Sequence, residues 1–353
     1  MKGKNIKKHN FSGIHLLLRK LKHTVKGDRV SIKKVPGAGG DSDYLEIFHN
    51  GSVDYGKIIY VIKENCDHDG FCTTVRFMLC YLIFAEQHGL APKIIFSKDF
   101  VYYDEDKDKE IGNPWEYYFI QAGDSYDETN ALNVCYGNYY QMQMMRERYD
   151  MNAYEVGNYY NEEIFSLCSP LVRKYLVLRP EIVSEAAGIL KPVREKSGKT
   201  LGVHFRGTDY RYGYNGHPVY IDEEQMIAEI GKALENGSFD AVFLATDEKS
   251  ACDRIRDRFK DIDVLMFMDV YRSDGDKSVA FSEDKRKYHH YLLGYEIARD
   301  MYTLSLCDGL IAGKSSVGFI SNIYKHSRNE EYEYMNIIDN GNHVSDKPFV
   351  SRP

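Results

Sequence analysis

The sequence is poor in the features that mark several large protein classes. No run approaches the ~20 apolar residues that a membrane-spanning helix needs. Nine prolines in 353 residues and no repeating period argue against linker arrays and solenoids. Seven cysteines (66, 72, 80, 135, 168, 252 and 307) are scattered and odd in number. The start lacks the long uncharged run and small-residue cleavage site of a signal peptide, so reduced thiols and a cytoplasmic setting are expected. Cys66, His68, Asp69 and Cys72 have no second ligand pair nearby, and no metal is expected there. Acid is scarce in residues 1–34, which hold eleven Lys/Arg and only Asp28. That segment carries about +10 against a net charge of -7, so the remainder is acidic. A nucleic-acid binder needs a basic face on the folded domain, which a body of that sign disfavours, and no such partner is expected.

What is present is the composition of a globular protein, 43% apolar and 28% charged, long enough for two domains. Residues 1–34 also contain Phe11, Ile14, Leu16, Leu17, Leu18 and Leu21, an apolar stripe bordered by basic residues if helical. Two readings are open: docking on the protein's own domain, or peripheral contact with the anionic inner face of a membrane. Residues 35–190 are read as a first α/β domain. KIIYVIKEN (57–65) is a strand, 71–89 a helix and LAPKIIFS (90–97) the next strand. The acidic run 102–110 is expected as a solvated loop, and its Asp104-Glu105-Asp106 is not expected to hold a metal. The tyrosine-rich stretch 137–160 is read mainly as packing, with sugar contact as the other use of tyrosine. Two helices meeting at Pro180 lead to the second domain, 191–353.

There the rhythm is regular. Strands at 200–205, 239–246, 263–268, 308–313 and 336–340 alternate with helices at 221–234, 248–259, 289–306 and 315–325. This predicts a doubly wound, mostly parallel sheet. The expected architecture is two Rossmann-like α/β domains facing each other across a cleft.

Ligands bind at the carboxyl ends of such strands, and three of these ends are polar. They carry His204, Arg206 and Asp209; Thr246 and Asp247; and Ser315 and Ser316. Ser315 or Ser316 caps a helix whose first amides favour an anion. Arg206 adds a fixed cation with forked donors for phosphate.

The run G-V-H-F-R-G-T-D (202–209), then His217-Pro218, then L-A-T-D-E (244–248), then Asp300 before Ser315-Ser316, resembles the donor domain of the fucosyltransferase superfamily. That superfamily includes α-1,6-fucosyltransferases, nodulation enzymes and protein O-fucosyltransferases. The resemblance covers roughly 200–325 well and the N-terminal half loosely. It implies a GT-B-like α/β fold with residues 35–190 as the acceptor-side domain, a GDP-fucose donor, an inverting transfer to a glycan acceptor and no metal cofactor. It assigns Arg206 and Ser316 to the β-phosphate, His204 and Asp300 to guanine, and Asp209 and Asp247 to the loops around Arg206. Two positions depart from the pattern: Gly207 replaces a second arginine, and Tyr210 a lysine. No acid lies between Asp209 and His217, where the α-1,6 enzymes place a proposed acceptor base. Asp69, His68 and His217 are the candidate bases. Another nucleotide-sugar donor and a non-catalytic relative are the alternatives.

Overall fold

Val30–Lys34 (β1) pairs antiparallel with Tyr44–Phe48 (β2) in the computed structural model, which describes residues 29–35, 44–64, 66–67, 69–123, 125–237, 239–273 and 278–347. His68, the side chain of Asp209 and residues 1–28 lie outside the described residues. The chain continues through β3 (Ile59–Glu64), helix α1 (Phe71–Gln87) and β4 (Ala91–Phe96). Ile59 to Ile62 are fully buried, as expected of a strand covered on both faces. β5 (Val134–Tyr136) joins β3 in parallel, and the sheet order is β1-β2-β5-β3-β4. β1, β2 and β5 were not expected. They span three to five residues, too few to show a period. Val30–Lys34 is therefore strand, although it falls within the segment read as amphipathic.

The acidic run is not a loop. It forms α2 (Glu105–Ile111), opened by Asp104, whose carboxylate accepts the Lys107 amide at 3.1 Å. Gly112, in the left-handed region at φ 84°, closes it. No residue of α2 is buried, so no apolar period announces it. Asp106 pairs with Lys109 at 3.1 Å, which leaves the triplet as a cap and an ion pair. Helices α3 (Tyr139–Arg148), α4 (Glu162–Tyr175) and α5 (Pro180–Arg194) come next. Pro180 stands at the start of α5, where its missing N–H costs nothing.

The second sheet contains β6 (Thr200–Phe205), β7 (Ala241–Thr246), β8 (Asp263–Leu265), β9 (Gly309–Gly313) and β10 (Tyr334–Ile338). Its order is β10-β9-β6-β7-β8 and every pairing is parallel. The connecting helices are α6 (Glu223–Asn236), α7 (Lys249–Arg258), α8 (His289–Leu306) and α9 (Ser316–Ser327). The first strand lies at the centre and the chain winds outward both ways, which is the doubly wound order. Leu201, Val203 and Phe205 pack with Val242, Leu244 and Ile311, and with Met226, Ile230 and Ile255 of α6 and α7. At Gly202 a Cβ would stand 3.1 Å from the Leu304 side chain, so the glycine lets α8 press on the strand.

The chain forms two compact units. One holds the described parts of 1–63 with 80–95 and 121–149; the other holds 64–79, 96–120 and 150–353. Helices α4 and α5 thus belong with the parallel sheet, and the division is not a single cut near residue 190. No helix among the described residues is long and apolar enough to cross a membrane. All seven cysteines are buried thiols, and none is joined in a disulfide.

Candidate anion and base site at the ends of the parallel strands

Parallel register brings the residues just past neighbouring strands side by side. Phe205 is level with Thr246, and His204 with Ala312. Arg206, Asp247 and Ser315 therefore leave the sheet along one edge. The Arg206 guanidinium pairs with Asp247 at 2.8 Å; the side chains are 26% and 11% exposed. Asp247 also accepts the Gly207 amide at 2.9 Å and the Thr208 hydroxyl at 2.8 Å. One carboxylate thus holds both the arginine and the turn after it. The Arg206 charge reaches the buried Cys72 thiol and the Tyr102 hydroxyl, opposing the rise that burial imposes on both.

The second cationic feature is the start of α9. Ser315 is its N-cap, and its hydroxyl oxygen accepts the Gly318 amide at 3.2 Å. The Ser315 backbone is extended (φ -156°, ψ 152°), so its own N–H and C=O point the same way. The Tyr159 hydroxyl uses both, accepting from the N–H at 2.8 Å and donating to the C=O at 2.7 Å. With Ser315 committed internally, the first amides open to an anion are those of Ser316 and Val317, which by position lack an intrahelical acceptor. The Ser316 hydroxyl lies 3.0 Å from that of Thr73, in the first turn of α1. Two helix starts and an arginine therefore belong to the same compact unit.

His204 is buried, and its Nδ1 lies 3.1 Å from the Ser315 hydroxyl. Burial, then the Arg206 charge, depress its pKa to about 4, so the ring is neutral at physiological pH. Asp300, on α8, is half-buried, and its carboxylate makes no hydrogen bond or ion pair among the described residues. Burial raises its pKa to about 7 against the pull of Arg299 and Arg272. Among the described residues, no hydrogen bond joins Asp300 to His204.

The remaining candidates are dispersed. Asp69 precedes α1 and acts electrostatically on Tyr102, as Arg206 does. His217 packs its ring 6.2 Å from that of Tyr210, and Arg206 lies 5.8 Å from the same Tyr210 ring. At Gly207, where the resembled pattern has arginine, a Cβ would collide with the Glu248 carboxylate. Glu248 in turn pairs with Arg211. Sequence reading missed Thr73 and Tyr159. Thr73 lies within the turn-helix run D-G-F-C-T-T-V-R-F (69–77) without standing out in it, and Tyr159 is one tyrosine among many.

No family model matches the chain, and no curated protein does. Among solved structures it is similar to NodZ α-1,6-fucosyltransferase soaked with GDP-fucose, at 15% identity, TM-score 0.46, covering 76% of this chain and 93% of that one. Fucosyltransferase NodZ from Bradyrhizobium gives 17% identity, TM-score 0.45 and coverage of 77% and 93%. POFUT1 in complex with GDP gives 11% identity, TM-score 0.42 and coverage of 81% and 99%.

Proposed function

We propose that the chain is an inverting glycosyltransferase that moves fucose from GDP-fucose to a hydroxyl of a glycan acceptor, without a metal, in surface polysaccharide or glycoconjugate synthesis. The observation that carries the reading is the arrangement of Arg206 and the α9 N-terminus along one edge of the parallel sheet. Both are fixed before any ligand arrives, Arg206 by Asp247 and the helix start by Tyr159. Preorganised donors of this kind stabilise charge as it develops.

In the proposed reaction the acceptor oxygen attacks the anomeric carbon from the face opposite the diphosphate. The new C–O bond forms as the bond to the β-phosphate oxygen breaks, and GDP leaves with the electron pair. Arg206 and the amides of Ser316 and Val317 take up the charge gathering on the phosphate, with the Ser316 hydroxyl beside them. A base removes the hydroxyl proton, and Asp69 is our first candidate, ahead of His217 and His68. His204 and Asp300 read guanine, since an ionised carboxylate accepts from the adjacent N1–H and N2–H that adenine lacks. Asp247 positions Arg206, and Asp209 is assigned to the same loop.

The test is transfer from GDP-fucose to a panel of glycan acceptors with EDTA present and absent. Transfer insensitive to EDTA is expected, with Arg206→Ala reduced by about two orders of magnitude or more. An Arg206→Ala variant with unchanged turnover would remove the assignment. Gly207, with Glu248 packed against it, favours a second reading in which the donor is another GDP-sugar; the same assay with GDP-mannose separates the two.

A further inference from the structure

Ser315 makes two side-chain contacts, and counting protons between them fixes a third group. The Gly318 amide can only donate, so the Ser315 oxygen is an acceptor there. The other partner is His204 Nδ1 at 3.1 Å, and among the described residues no other acceptor bonds this buried hydroxyl. If Nδ1 carried a proton, the serine oxygen would accept twice and its own hydrogen would be buried with no acceptor, the costly arrangement. The hydroxyl therefore donates to Nδ1. In a neutral imidazole the single proton then sits on Nε2, which has no hydrogen-bond partner among the described residues.

We propose that Ser315 is a positioning residue for base specificity: its hydroxyl holds His204 as the Nε2–H tautomer, so the ring offers a donor to an acceptor on the bound base. The proposal rests on the assignment of His204 and Asp300 to the base in the proposed function. With Nε2–H donating and Asp300 accepting, the pair complements guanine's O6, N1–H and N2–H. Adenine would set its amino donor against the Nε2–H. Ser315 therefore serves the base through His204, while the phosphate is left to Ser316 and Val317. One residue thus couples the cap of α9 to the reading of the nucleotide.

Two measurements test this. The first is the 15N spectrum of the histidine rings in the full chain, with His204→Gln to assign the resonance. An unprotonated Nδ1 and protonated Nε2 are expected, and a protonated Nδ1 would overturn the proposal. The second compares binding of GDP and ADP to Ser315→Gly and Ser315→Thr. Glycine caps a helix nearly as well as serine but has no proton to give. Ser315→Gly should lose about five- to tenfold in GDP affinity, the scale of one hydrogen bond, and little or none for ADP. Ser315→Thr should restore the wild-type ratio. Equal losses for both nucleotides in Ser315→Gly would mean a purely structural role and refute the proposal. If the wild-type protein itself fails to prefer GDP, the guanine reading falls, and the ring spectrum still decides the tautomer.

Discussion

At the scale of single residues, burial holds groups in states they would not choose in water. Asp300 is the clearest, a carboxylate with no hydrogen-bond partner among the described residues, whose pKa burial raises from 3.8 to about 7. The sign of its effect comes from linkage. An acid whose folded pKa is raised favours the fold while protonated; that contribution is complete below about pH 4 and is lost as pH rises through 7. In the proposed reading guanine needs the ionised form, so binding runs the other way. GDP affinity should climb from pH 5.5 to about 7.5 and then level, more steeply than UDP affinity, whose climb reports only the terminal phosphate that both share and that ionises at about pH 6. Asp300→Asn should flatten the GDP profile, weaken GDP binding and raise the melting temperature of the unliganded protein at pH 8. Parallel profiles for GDP and UDP by calorimetry would show that Asp300 does not face the base. Arg206 is the opposite case, a cation kept in place by a carboxylate that also ties down Gly207 and Thr208.

At the scale of elements, the site is the junction of a strand edge with two helix starts, and Tyr159 sets the position of one of them. Tyr159→Phe would leave the Ser315 N–H buried without its acceptor, while the Ser315 C=O would keep the Phe319 amide at 3.1 Å. A loss of about 1–3 kcal/mol in unfolding stability is expected, together with weaker GDP binding. Unchanged stability in denaturant titrations would mean that the α9 start does not depend on this clamp. The elements also differ in how far a sequence reveals them. Strands β6 to β9 are legible because each is an apolar run bounded by turns and separated by an amphipathic helix. In a parallel sheet that order alone predicts which residues share an edge, which is why His204, Arg206, Asp247 and Ser315 could be grouped in advance. Helix α2 could not be read, because a fully exposed helix has no buried stripe and its acidic residues look like loop. Thr73 and Tyr159 could not be read either. They meet Ser316 and Ser315 across 243 and 156 residues, and tertiary packing alone selects them.

At the scale of the whole molecule, the net charge of -7 offers a nucleoside diphosphate no general attraction. The proposed reading puts recognition in a local arrangement: Arg206 and the α9 amides for the phosphates, His204 and Asp300 for the base. One titration separates these two contributions. GDP, GMP and UDP are titrated calorimetrically into the wild-type protein with EDTA present. GDP should bind most tightly. GMP, lacking the β-phosphate, and UDP, lacking the guanine edge, should each be weaker by about tenfold or more, the scale of one or two charge-assisted hydrogen bonds. Equal affinity for all three nucleotides, or GDP binding that requires an added divalent cation, would contradict this mode of recognition.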